Sequence, residues 1–331
     1  PTGALASSKS PDVSSLIKLP YPRQLNRVPN LLFDDGFDSL AGFGQYRDYN
    51  RNYNLFDNFT WTRGRHSFKF GFQYIYYQKN ENAAGDNAGN YEFDSTNIPA
   101  PLDSQTGADI ATQQREQDFA NFLLGYASSD FLQAPTDITA DIRQNLFEFY
   151  GQDEWRIRPN LTISYGLRYS FFRTPSDSGF KLTSFDPRQY NVANAPELTA
   201  SGRLVLGTGN PLNGIIINGV RSPYGNHITR QDDRDIAPRF GIAWDPFSNG
   251  RTSLRAGFGL FYDSVAAGII EDNVFNNPPF LGSSDFGGGI FLSQGDQVSA
   301  LSSNIPPSLW TTNPRWTTPY STQWNLTVQR M

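Results

Sequence analysis

The sequence predicts an all-β protein, an antiparallel transmembrane β-barrel of which the 331 residues supply about seven strands. Three observations predict it. Long segments alternate strictly between aromatic and polar residues, short turns pair these segments, and long polar stretches separate the pairs.

The clearest alternation is His66 to Lys79, where Phe68, Phe70, Phe72, Tyr74 and Tyr76 oppose Ser67, Lys69, Gly71, Gln73 and Ile75. Successive strand residues point to opposite faces, so one face is aromatic and the other mostly polar or small. Leu161 to Arg173 repeats the pattern, with Leu161, Ile163, Tyr165, Leu167, Tyr169 and Phe171 sharing a face, and Thr252 to Asp263 does so again with Leu254, Ala256, Phe258, Leu260 and Tyr262. Each has a partner just upstream: Asn54 to Thr62 across Arg63-Gly64-Arg65, Ile142 to Ile157 across Arg158-Pro159-Asn160, and Ile236 to Asp245 across PFSNGR. These are hairpins. Tyr320 to Arg330 is the seventh strand, with Tyr320, Trp324, Leu326 and Val328 on one side and Thr322 the exception there.

The connections at the other end are Asn80–Asp141, Thr174–Asp235 and Ser264–Pro319, rich in Asn, Asp, Ser, Gly and Pro. Loops of that length count against a compact soluble domain. Short periplasmic turns and long extracellular loops are the expected layout of an outer-membrane barrel, whose strands alternate apolar outside and polar inside. A soluble antiparallel sandwich or propeller is the alternative. Trp61, Trp155 and Trp244 stand close to short turns, where an interfacial aromatic girdle belongs. Lys69, Arg168, Arg239 and Arg255 fall on the opposite faces among Gly and Ser, which suits a wet lumen. Asp57 and Asp153 carry the parity of the aromatic faces, and a bulge turning them inward is one way to avoid that cost.

Composition removes other classes. Aromatic residues are 15% and charged residues 18%, mean hydropathy is −0.50, and no apolar run is long enough for a membrane helix. There is no Cys and only His66 and His227, so thiolate chemistry is impossible and histidine chemistry nearly so. A net charge of −5 without a basic cluster gives no footprint for nucleic acid. No nucleophile-elbow, zinc-protease or P-loop motif occurs, and Asp153 and Glu154, being adjacent, point to opposite faces. No catalytic residue, cofactor or enzymatic activity is expected. The acidic stretches Asp34–Asp38 and Gln231–Asp235 lack the calcium-loop pattern, so no metal site is expected either. GTGNPLNGIIINGV, from Gly207 to Val220, and FGGGIF, from Phe286 to Phe291, are read as external hairpins or as ligand-gripping loops.

FANFLLG (119–125), EFYGQDEWRIRPNLTISYGLRY (148–169), FDPRQYN (185–191), APRFGIAWDP (237–246), GRTSLRAGFGLFYD (250–263) and PYSTQWNLTVQR (319–330) carry a resemblance beyond the strand pattern. With them the chain resembles the barrel of a TonB-dependent outer-membrane receptor, of the Oar-like group abundant in acidobacteria. The resemblance implies a barrel of about 22 strands around an N-terminal plug. It implies a bacterial outer-membrane location, energised uptake of a small solute or carbohydrate, and plug, TonB complex and lipid as partners. No plug, TonB box or aromatic-ended terminal strand is read in this sequence, so the family's coupling residues have no positions here. Residues 1–331 are thus expected to be part of one barrel domain, with 1–50 mostly loop. Seven strands leave sheet edges that lipid cannot satisfy, so a longer chain or other chains complete the wall. A structural or adhesive surface protein and a soluble carbohydrate-binding β-protein are the alternative functions.

Overall fold

The computed structural model describes residues 17–22, 29–34, 36–40, 47–82, 88–95, 109–128, 130–133, 138–280, 284–287, 289–297, 306 and 309–331. Its frame is a seven-strand antiparallel meander: β1 Asp48–Arg63, β2 His66–Asn82, β3 Thr139–Arg158, β4 Leu161–Phe172, β5 Asp235–Trp244, β6 Thr252–Tyr262 and β7 Tyr320–Arg330. Each strand bonds to the next in sequence, and β1 and β7 are the two edges. The sheet is therefore open, and every residue of both edge strands is exposed.

Directly opposed residues of an antiparallel pair share a face, so the register fixes which side chains lie together. One cross-sheet row runs Phe59, Phe70, Gly151, Leu167, Pro238, and another runs Asp57, Phe72, Phe149, Tyr169, Ile236. The aromatic parity read in each segment thus adds up to one continuous apolar face. The polar parity does the same: Thr60, Lys69, Gln152, Gly166, Arg239, Gly259 and Gln323 form a single row.

The short turns lie at one end and are tied to one another. Gly64 takes φ 62° at the first central position of the two-residue turn between β1 and β2, the left-handed conformation that such a hairpin requires of its glycine. The Arg65 guanidinium donates to the Ile157 carbonyl at 2.8 Å, and Asn160 Nδ2 donates to the Asp245 carbonyl at 2.8 Å. Asp245 itself holds the wider turn between β5 and β6, accepting from the amides of Phe247 and Gly250. The β3–β4 pair contains a bulge between Arg156 and Arg158, where one strand carries an extra residue. It lies beyond Asp153, and the β1–β2 register around Asp57 runs without interruption. Neither acid is therefore turned inward by a bulge.

β1 starts at Asp48 and β3 at Thr139, earlier than the alternation alone indicates. Their first residues carry no clear alternation, Asp48 to Tyr53 setting Tyr and Arg against Asp and Asn and Thr139 to Asp141 a single Ala between polar neighbours, yet pairing with β2 continues through them. The first 50 residues, expected as mostly loop, also hold a short strand, Asn30–Phe33, paired in parallel with Asn90–Phe93.

The long connections fold. Helix α1, Ile110–Leu123, starts where the Asp109 carboxylate accepts from the Thr112 amide at 2.7 Å and ends before Gly125 at φ 69°. Tyr91, Phe93, Ala127, Phe131 and Ile290 form a dry cluster there, with Phe122 edge-on to Phe93. Helix α2, Ala267–Phe275, contributes Ile270 and Val274 to a second cluster with Ala140, Ile142, Leu182, Ile216 and Ile228. Ala140 and Ile142 share the parity of Glu148 and Tyr150, so α2 and its neighbours cover the polar side of the sheet at its loop end. The protein's buried cores thus sit at that end, while the middle of the sheet presents both faces.

Candidate functional site

The open stretch of the polar face is built from alternate residues of β1 to β5, and glycine shapes it. A Cβ on Gly71 would lie 2.4 Å from the Tyr150 ring and 2.6 Å from Asn58 Oδ1. That space is used by Tyr150, which crosses the glycine and donates from its hydroxyl to Asn58 Oδ1 at 2.7 Å. Gly166 plays the same part for Gln152, whose Cβ lies 2.5 Å from where a Gly166 Cβ would stand. Side chains consequently lie flat along the wall.

Beside Tyr150, Arg168 forks onto Glu148. Its Nε donates to Oε1 at 2.9 Å and its Nη2 to Oε2, and Ser170 Oγ donates to Oε1 at 2.9 Å. Bidentate charge-assisted contacts of this kind fix geometry as well as charge. Asn54, Asn58, Gln73, Glu148, Tyr150 and Arg168 line a shallow cleft of about 250 Å³.

The structure places the four cations as follows. Lys69 and Arg239 occupy the same polar row, three strand spacings apart, roughly 14 Å. Arg168 is diagonal to Arg239 and neutralised by Glu148. Arg239 lies over the Phe261 ring at 4.7 Å, and among the described residues its Nε meets no acceptor. Arg255 opposes Ala243 and Thr327 near the turn end, away from the others. The sheet gathers Arg168 and Arg239 and leaves Lys69 and Arg255 to either side.

Trp61, Trp155 and Trp244 all lie on the apolar face near the turns, each partly exposed. Trp61 stacks on Phe68 at 5.5 Å and Trp155 on His66 at 5.2 Å. Between these rings, and missed from sequence, Asp153 accepts from Tyr165 OH at 2.9 Å and lies 2.7 Å from His66 Nδ1. The only usable signal was parity, which put His66, Asp153 and Tyr165 on the same side.

At the loop end, Lys79 bridges Glu81 and Glu271, reaching the latter at 2.5 Å. Burial pushes the Glu271 carboxyl up to about 7, helped by the charge of Glu81 and opposed by the Lys79 hydrogen bond and charge. Burial likewise holds His227 below the ordinary histidine range, assisted by the Arg173 charge. The acidic stretch at 231–235 serves the loop: Gln231 Oε1 accepts from the Thr174 amide at 2.8 Å, and Asp232 pairs with Arg234. Among the described residues no group of three His or acidic side chains is arranged to hold a metal. Phe286 and Gly287 belong to a short strand of the cap, and Gly288 lies outside the described residues.

A meander with one aromatic face, one polar face, tryptophans at the turn end and folded loops at the other end is the wall of an outer-membrane β-barrel. The chain belongs to the outer membrane beta barrel domain family, which matches residues 2–331. No curated protein and no solved structure matches it.

Proposed function

We propose that this chain forms wall and external loops of a TonB-dependent receptor in the bacterial outer membrane, taking up a small solute or carbohydrate with energy delivered through a plug. The reading is of a transporter and not of an enzyme. The observation that carries it is the division of the polar face: an open charged stretch around Arg168, Arg239 and Glu148, then a mouth covered by α2 and its dry cluster. Such a wall suits a lumen that holds a polar plug and opens outward only through its loops.

The open edges support the same reading. In lipid, unpaired strand backbone costs several kcal/mol per group, so β1 and β7 require neighbouring strands. A barrel of about 22 strands supplies them. The test is the intact mass of the native polypeptide extracted from outer membranes in detergent, with solute uptake measured before and after a protonophore. A mass of about 100 kDa or more and protonophore-sensitive uptake are expected. A native mass near the 37.1 kDa of this chain, or uptake indifferent to the protonophore, overturns the reading.

A further inference from the structure

Between β4 and β5 the chain folds a second, smaller cleft that the wall does not use. Two segments form its sides, 189–194 and 210–216, with Arg221 at one end, enclosing about 180 Å³. The buried floor is Gly214, Ile215 and Ile216.

Two glycines allow the sides to meet. Gly209 has φ 53°, and a Cβ there would stand 2.4 Å from the Ala195 carbonyl. Gly214 has φ 81°, and its Cβ would stand 2.4 Å from the Phe185 ring. Both positions combine a left-handed backbone with a close approach that any side chain would block. Clamps then fix the separation. The Asn191 amide donates to Asn213 Oδ1 at 3.0 Å, Asn213 Nδ2 donates to the Asn191 carbonyl at 2.8 Å, and the Asn210 amide donates to the Asn194 carbonyl at 2.8 Å.

The chemistry of the lining is selective. Asn191 and Asn210 spend their side-chain oxygens on the amides of Ala193 and Leu212, and among the described residues no acceptor meets their side-chain N–H groups. The Gln189 and Asn194 side-chain amides have no partner among the described residues and offer both a donor and an acceptor. Arg221 is exposed, and among the described residues its guanidinium donates to the Leu212 carbonyl at 3.4 Å and pairs with no carboxylate. Among the described residues no acidic side chain lines the cleft. Tyr190, 41% exposed and edge-on to Phe185 at 6.0 Å, stands between Gln189 and Asn191.

We propose that this cleft binds one ring of an acidic oligosaccharide, a uronate. Side-chain amides, with a donor and an acceptor in one plane, suit ring hydroxyls, and the guanidinium fork suits the carboxylate. The volume is below the roughly 300–1,000 Å³ of pockets that enclose drug-sized ligands, so a single ring enters and the rest of the chain stays outside. The proposal deepens the transporter reading by naming the class of its solute, yet the cleft is a binding site whether or not uptake is energised.

The test is calorimetric titration of the detergent-extracted full-length protein with trigalacturonate and with its fully methyl-esterified form. Saturable binding of the acid is expected, at least tenfold tighter than the ester. Arg221→Gln removes that preference, and Asn210→Ala weakens both ligands. Arg251→Gln, an exposed arginine at the turn end, changes neither. Absence of saturable binding by trigalacturonate, or a preference that survives Arg221→Gln, overturns the proposal. Binding that persists while uptake ignores a protonophore would instead remove the transporter reading and keep this site.

Discussion

His66 Nδ1 lies 2.7 Å from Asp153 Oδ2 on the aromatic face of the sheet, with the Asp153 side chain 4% exposed. A carboxylate on the lipid-facing side of a barrel wall is destabilising, by an amount that falls toward the interface. Here the cost is met in part locally, at Oδ2, while Oδ1 has no partner among the described residues. Asp153 stands two residues from Trp155 on the same strand and opposes Phe68, which in turn opposes Trp61, and His66 and Tyr165 satisfy one of its oxygens.

Removing the histidine therefore exposes the acid. His66→Phe keeps the ring stack on Trp155 but deletes the partner, and is expected to destabilise the folded barrel by about 2–3 kcal/mol. Adding Asp153→Leu to His66→Phe should recover most of that loss. Urea midpoints of the folded protein in lipid vesicles decide the matter; equal losses for the single and the double variant would mean the pair does not compensate the carboxylate.

Gly71 predicts a steric effect on the polar face. Gly71→Val drives a branched side chain into the Tyr150 ring and the Asn58 amide, and overpacking of this kind costs about 1–3 kcal/mol. Tyr150→Ala should relieve part of that cost, the close approach to the Asp57 carbonyl at 2.8 Å remaining. A double-mutant cycle read by unfolding midpoint checks it, and additive effects count against Tyr150 as the obstruction.

The Glu148–Arg168 fork should couple strongly. Glu148→Gln and Arg168→Gln together are expected to cost less than the sum of the two singles by about 1–2 kcal/mol, because each single leaves a half-buried charge facing Arg239 or Ser170. Ion flux through the reconstituted protein gives a second readout: Glu148→Gln leaves net positive charge on the polar face and should shift selectivity toward anions.

Glu271 gives the pH dependence. Its carboxyl titrates near 7 in the folded protein, above the ordinary value of 4.5, so the folded state holds this proton more tightly than the unfolded chain does. Its contribution to stability is fully present below about pH 4.5 and is lost as pH rises through about 7. The α2 amides should thus lose exchange protection, corrected for intrinsic rate, progressively between about pH 5 and pH 7. Glu271→Gln should flatten that change; an unchanged profile would assign it to another group.

The seven wall strands were legible because lipid on one side and water on the other impose a period of two, and Phe68 to Tyr76 obeys it with Ile75 the one exception. Residues 48–53 escaped because Asn, Arg and Tyr alternate there without a polarity contrast, and only pairing with β2 extends the strand. The four cations could be placed on a face but not in clusters, since register decides that Arg168 neighbours Arg239 while Lys69 stands apart. Asp153 was recognised as costly, yet its remedy came from His66, far off in sequence. The cleft at 189–221 was visible only as a glycine-rich motif, because its sides join through hydrogen bonds between segments that no local pattern announces.

Both dry clusters draw on the connection between β6 and β7: Val265, Ile270 and Val274 enter one, Ile290 and Leu292 the other. That segment acts as a keystone, so grafting it into another barrel would require transplanting its neighbours with it. The stretch from Asn191 to Asn213 differs, since its clamps are largely its own. New recognition can thus be acquired by exchanging that stretch alone, while the rest of the cap stays locked against change.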